Sequence, residues 1–360
     1  MFKYILVIDI KSKIVRCVFK MRAIWKYVGK RVLYVIPTLI GLSILIFILS
    51  RVLPGDPALM AAGPNAPKWV VEQIRHQLRL DKPLWQQYYY WLVDLFHGDL
   101  GYSIYTKRSV TVDVVEYLPA SLQLIFLAAL FEIGGALALG IISGRYAYKL
   151  PDNMVRVLAY IGISVPSFVW GLLFQLIFAA IIPLFPSHGM YSYGTIPPPR
   201  VTGFSLIDSL IAGQFDTFVD ILWHMVLPAF ALSLGAMAQD ARIIRAGMVD
   251  TMQKDHVSLV RAYGIPERTI FSKYILKPSL VPAVTVMGMD IASLLGNAFM
   301  VEMIFQWPGF SRYGINVMLN KDINGIVAVV LVVGIIFAIA NIIVDVVVAY
   351  LDPRIGRRSA

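Results

Sequence analysis

The chain has 360 residues, 58% of them hydrophobic and 15% charged, with a mean hydropathy of +0.70 and a net charge of +10. Soluble domains average nearer about 25% charged residues, so the composition excludes a soluble globular protein and points to the membrane. The one cysteine, Cys17, excludes a disulfide framework and a cysteine-based zinc site, and the five histidines (His76, His97, His188, His224, His256) lack metal-ligand spacing.

Residues 1–31 hold nine Lys/Arg and one acid, Asp9, interleaved with apolar residues. A secretory signal would follow its cations with a small-residue cleavage site, whereas this apolar run continues to Leu49 and on into RVLPGDPA. Residues 1–30 are therefore expected to form a basic amphipathic segment at the inner membrane surface, with an uncleaved first span at 32–50. Five further runs, at about 119–142, 156–182, 219–239, 281–304 and 325–350, are long enough to cross a hydrocarbon core of roughly 30 Å. Pro166 and Pro228 are expected to kink the third and fourth spans, which membrane packing tolerates. The expected fold is an all-α membrane protein with six transmembrane helices between residues 31 and 351 and a tail at 352–360.

Lys and Arg accumulate on the cytoplasmic side of membrane proteins. With the N-terminus inside, the inner segments hold 22 of the 32 Lys and Arg residues. The orientation is therefore N-in and C-in, and the basic charge needs no nucleic-acid partner.

Between the spans, the outer loop 52–118 contains QQYYYWLVDLFHGDL, whose aromatic content predicts a helix on the outer membrane face. The loop 183–218 is expected to be extended and stiff at Pro197–Pro199. The loop 305–324 carries WPGFSRYG, with a tight turn at Pro308–Gly309.

One inner segment is unlike the rest. Residues 240–280 are polar and basic, and their pattern is helix, turn, helix. Ile244, Met248, Met252, Leu259 and Tyr263 fall on one helical arc of about 100°. Asp255 lies in the middle of that arc, which predicts a break with Asp255 capping a fresh helix. Gly264 should end that helix in a left-handed turn, Pro266 should open the next, and Glu267 suits its positive end. Two short helices offering a small apolar face ringed by cations would make a docking knob. The plainer alternative is an ordinary positive loop.

Glu132, Asp290, Glu302 and Asp345 sit at membrane depth, where ionisable groups face an interior or a partner. Each has a plainer reading as a helix-end or structural hydrogen bond. Gly134, Gly135, Gly140 and Gly144, like Gly288, Ala292 and Gly296, have spacings that allow close helix contact. No P-loop, zincin or nucleophile-elbow motif is present, so the chain has no visible means of holding ATP phosphates or of covalent chemistry.

Several separated motifs resemble the inner-membrane permease subunits of the dipeptide/oligopeptide/nickel class of ABC importers, from about Met21 to Arg357. They are RVLPGDPA after the first span, RLDKPLWQQYYYWLVDLFHGDLGYS in the outer loop, DHVSLVRAYGIPERTIFSKYILKPSLVP, VEMIFQWPGFSRYG, and AYLDPRIG near the C-terminus. The resemblance implies a type I ABC importer permease architecture and a cell-membrane location. It implies that an EAA-type loop contacts an ATPase through Asp255, Ser258, Leu259, Arg261, Ala262, Tyr263, Gly264, Ile265, Pro266, Glu267 and Arg268. The implied partners are a second, similar permease, two ATPase subunits and an extracytoplasmic substrate-binding protein. ATP and Mg would sit on the ATPases, leaving this chain without a cofactor. By position, Trp307, Pro308, Gly309, Phe310 and Tyr313 are candidates to touch the binding protein.

The sequence departs from the family at three places. Residues 1–20 precede the usual start, Ser258–Leu259–Val260 stand where the wider superfamily has Glu-Ala-Ala, and Pro266 and Pro278 replace the more frequent Ser and Asn. Pro278 is expected to end the second coupling helix early. The expected function is ATP-driven import of peptides or a similar solute, such as an oligosaccharide or nickel chelate. The alternatives are a self-contained secondary transporter or channel using Glu132 and Asp290, and an intramembrane enzyme, for which no nucleophile or metal set is visible.

Overall fold

The computed structural model describes residues 29–31, 33–51, 57–63, 66–77 and 79–351, so all but the last two residues of the basic segment expected over 1–30, and the tail at 352–360, lie outside the described residues. Helix α1 (Gly29–Arg51) is followed on the outer side by α2 (Pro57–Ala62), α3 (Lys68–Gln77) and α4 (Leu84–Phe96). Then come α5 (Val110–Arg145), α6 (Leu150–Ser164) and α7 (Ser167–Gln175), the last continuing as wide turns through Ile181. After α8 (Ser205–Ile211) the chain enters α9 (Phe215–Met252). The remaining helices are α10 (Asp255–Ala262), α11 (Glu267–Thr269), α12 (Lys277–Ile304), α13 (Phe310–Leu319) and α14 (Ile323–Leu351).

Five of these stretches, α1, α5, α9, Glu267–Ile304 and α14, are long and apolar enough to cross a membrane, and the pair α6–α7 makes a sixth span bent by 104°. Pro166 causes that bend. The residue before a proline is driven out of the helical region, and Val165 is extended at φ −109°, ψ 126°. Pro228 behaves differently: α9 runs through it without a break.

The core is built on close approach of α5 and α9. Gly135, Gly140 and Gly144 lie directly against Met237, Ile244 and Met248, so a Cβ at any of them would collide with those side chains. Gly288 does the same against Val344 of α14, whereas Gly134 and Gly296 face open space. Two of the intramembrane acids have structural partners. Asp345 pairs with Arg31 of α1 at 3.2 Å. Buried Glu302 accepts from the Ser121 hydroxyl and from the Arg312 amide at 2.9 Å, joining α12, α5 and α13.

Both α5 and α9 extend inward beyond their apolar runs. Arg245 donates to the buried Asp152 carboxylate through Nε at 2.5 Å and Nη2 at 2.7 Å. Asp152 also accepts from Ser143 Oγ at 2.6 Å and the Tyr148 amide at 2.7 Å, locking α9 to the α5–α6 turn. Asp240, placed in the loop by polarity, therefore lies on a membrane helix whose inner end carries Arg242 and Arg245.

On the outer side, α4 packs against α1, with Tyr88 and Trp91 ring centroids 5.2 and 5.8 Å from Phe47. The Gly98–Ser103 block turns at two left-handed glycines, Gly98 (φ +80°) and Gly101 (φ +85°). It delivers the Ser103 hydroxyl to Asp322, joining the first and third outer loops.

Candidate functional site

The knob is built from the inner ends of α9 and α12. Helix α9 stops at Met252, Lys254 is extended at φ −79°, ψ 143°, and Asp255 is the first residue of α10. The expected break is there, but Asp255 sits one place inside the cap and its side chain caps nothing. Its carboxylate instead lies at the positive end of the helix dipole.

At the other end of α10 the Gly264 amide donates to the Arg261 carbonyl at 3.0 Å and the Ile265 amide to the Val260 carbonyl at 3.3 Å. This Schellman pair needs a left-handed residue at its centre, and Gly264 supplies φ +72°. Pro266, at φ −57°, ψ 136°, is the cap of α11 and Glu267 its first residue, one position later than expected.

Pro278 does not end the second helix. From Ile270 to Leu276 the helix widens to π-type turns, then resumes as α12 with Pro278 in its first turn and continues to Ile304. Such local widening absorbs the donor a proline lacks.

Buried Val257 and Ile270 fasten the knob from below, packed with Ile244, Met248 and Ile275. The single arc read from the sequence is thus split between two helices. Ile244 and Met248 point into the core, while Leu259 and Tyr263 are 56% and 76% exposed. The break before α10 leaves Val257 facing the core and turns Leu259 and Tyr263 outward.

Asp255, Ser258, Leu259, Arg261, Ala262, Tyr263, Gly264, Pro266, Glu267 and Arg268 are all exposed, and Ile265 is half-buried. Arg261 donates to Glu267 through Nε at 2.6 Å and Nη2 at 3.4 Å, bracing α10 against α11 across the Gly264 turn. The same hydrogen bond raises the Arg261 guanidinium above its ordinary pKa. The result is a rigid hairpin presenting one leucine and one tyrosine among charged groups.

The Trp307–Tyr313 turn is a correction. Trp307, Phe310 and Tyr313 are buried, as is Gly309, and Pro308 is half-buried. The Trp307 indole donates to the Ala120 carbonyl at 2.8 Å, and Tyr313 stacks on Tyr117 with centroids 5.2 Å apart. Gly309 is packed so tightly against Glu302 and Ser121 that no Cβ would fit. Trp307, Phe310 and Tyr313 are therefore interior, and of the five only Pro308 is partly exposed.

Glu132 and Asp290, named from the sequence as possible intramembrane groups, do come together, and a third acid that the sequence reading missed joins them. One carboxylate oxygen from each of Glu132, Asp240 and Asp290 lies within 4.8 Å of the others. Polarity had put Asp240 in the loop; only the inward continuation of α9 reveals its depth.

Six apolar spans with a helical hairpin projecting inward between the fourth and fifth define a multi-pass, all-α membrane protein. The chain belongs to the family of binding-protein-dependent transport system inner membrane components, whose model matches residues 136–357; the family's N-terminal model matches residues 24–125. It is 36% identical to the probable D,D-dipeptide transport system permease protein of Escherichia coli (strain K12), over 92% of this chain and 98% of that one. It is 34% identical to a dipeptide transport system permease protein of Alkalihalophilus pseudofirmus, over 91% and 98%. Against a glutathione transport system permease protein of Escherichia coli, identity is 32% over 91% and 98%. The chain is a transport subunit of the cell membrane, of type I ABC importer architecture.

Proposed function

We propose that this chain forms half of the solute path of an ATP-driven importer of short peptides and receives its driving force through residues 255–276. The names of the similar permeases concern dipeptides and glutathione, which favours a short peptide over an oligosaccharide or nickel chelate. The observation that carries the coupling role is the pairing of an exposed face with a buried base. Leu259 and Tyr263 stand free for a partner, while Val257 and Ile270 bind the knob to α9 and the start of α12. A push on the knob is then transmitted as motion of two membrane helices.

In this reading a second, similar permease completes the path, two ATPase subunits seat the knobs and hold ATP and Mg, and an extracytoplasmic binding protein delivers the solute. The test is reconstitution of the chain alone and with its co-purifying ATPases. Peptide uptake is expected only in the complete assembly with ATP. Uptake by the lone chain would overturn the reading.

A further inference from the structure

Toward the inner side of the bundle, α6 and α9 leave between them a cavity of about 430 Å3. Arg156 and Tyr160 of α6 line it together with Gln239, Arg242 and Arg245 of α9. Three guanidiniums thus share one small space, and no acid lines it. Only Arg245 has a counter-charge, the buried Asp152 carboxylate. That ion pair occupies Nε and Nη2 and leaves Nη1 to donate. Arg242 lies over the Tyr160 ring at 5.0 Å, which restrains it. Among the described residues neither Arg242 nor Arg156 is paired with a carboxylate. Three cations against one acid leave a surplus of two positive charges, which an anion lying among them would neutralise.

Guanidinium forks bind phosphate and carboxylate oxygens in bidentate pairs. Depth in the membrane chooses between the two. The apolar run of the third span begins near residue 156, and that of the fourth ends near residue 239. The cavity therefore lies where hydrocarbon gives way to the inner headgroups. On the adjoining face of α6, Met154, Val157, Leu158 and Ile161 are all exposed, at the i, i+3, i+4, i+7 spacing of one helical stripe. A basic pocket beside a bare apolar stripe matches a phospholipid, which carries its anion next to its acyl chains. A soluble peptide would match the pocket and not the stripe. Basic pockets between membrane helices on the cytoplasmic side are a recurrent form of lipid headgroup site.

We propose that Arg156, Arg242 and Arg245 bind the phosphate of an anionic phospholipid of the inner leaflet, whose acyl chains lie along the exposed stripe of α6. Arg245, fixed by Asp152, and Arg242, steadied on Tyr160, present donors from α9, and Arg156 presents them from α6. The bound lipid bridges α6 to α9, the helix that runs down to the knob. It therefore opposes separation of these two helices at their inner ends.

The test measures lipid retention by the intact transporter in native mass spectrometry, with phosphatidylglycerol and phosphatidylcholine offered in competition. The expected result is one phosphatidylglycerol held per copy of this chain in preference to phosphatidylcholine. Arg156→Gln and Arg242→Gln should each weaken that binding roughly fivefold, and together about 25-fold. Equal retention of the two lipids overturns the site, as does undiminished binding in the double variant. Displacement of the lipid by a millimolar dipeptide would give the pocket to the solute and also overturn it. Should the variants fail to assemble, the unaltered complex decides, labelled by a phosphatidylglycerol with a photoreactive headgroup. Crosslinks are expected within residues 156–160 and 239–246, and crosslinks confined to other segments would refute the proposal.

Discussion

The Gly264 turn offers the sharpest test of the knob. Gly264 holds φ +72°, and a Cβ built there meets no heavy atom within 4 Å, so a substitution is penalised by backbone conformation and not by collision. The left-handed region costs an L-residue about 1–2 kcal/mol, with Asn and Asp at the low end because they hydrogen-bond locally. At about 1 kcal/mol the ratio of the turn to its alternatives falls about fivefold; at about 2 kcal/mol, as for Val, it falls about 30-fold. A domain stability of about 5–15 kcal/mol absorbs either, so membrane insertion and yield should be normal. Gly264→Asn and Gly264→Asp carry equal strain and differ in charge. In the reconstituted complex, Gly264→Asn should reduce substrate-stimulated ATP hydrolysis by no more than about fivefold. Gly264→Asp should reduce it further, to near the unstimulated rate, by placing an anion on the docking face. Normal substrate-driven hydrolysis in Gly264→Asp would refute the coupling role of this turn.

The Asp152–Arg245 pair, with Asp152 buried and Arg245 mostly so, should behave as a buried ion pair. Arg245→Met leaves an unpaired carboxylate and should cost about 3–5 kcal/mol, read as a lower melting temperature, and adding Asp152→Asn should recover part of the loss. Trp307→Phe removes the donor to the Ala120 carbonyl and should cost about 1–3 kcal/mol in thermal stability. It should leave affinity for the binding protein unchanged, because the side chain is interior. On the outer side, burial pushes the Asp208 carboxyl up, but hydrogen bonds from the Thr202 amide and hydroxyl (both 2.7 Å) and the Gly203 amide (3.0 Å) outweigh it and hold the group below the usual carboxylate range. A depressed folded-state pKa contributes stability above the ordinary carboxylate range and loses it as pH falls through the folded value. Asp208→Asn should therefore flatten the acid limb of the stability profile, measured by melting between pH 6 and 2.

What was legible in the sequence was whatever depends on neighbours in the chain. Apolar run length located six crossings, Pro166 located the bend, and Gly264 located the left-handed turn. Each is a local cause with a local effect. The errors share the opposite character. Polarity ended the fourth span near residue 239 because a hydropathy run measures what hydrocarbon tolerates, not where a helix stops. Helix α9 continues to Met252, and on that stretch Arg245 meets Asp152, 93 residues away in sequence, while Ile244 and Met248 pack against Gly140 and Gly144. WPGFSRYG reads as a surface turn because prolines and glycines make turns, but the direction its aromatics face is set by Ala120, Ser121 and Glu302. Ser121 illustrates how narrow that margin is, since its one hydroxyl donates to Glu302 and accepts the Phe310 amide at 2.7 Å. The apolar arc of the knob is divided at the break expected before Asp255. Two non-helical residues at Gln253–Lys254 separate buried Ile244 and Met248 from exposed Leu259 and Tyr263. The outward face of the hairpin is therefore Leu259 and Tyr263, with Val257 on the opposite side holding it to the core.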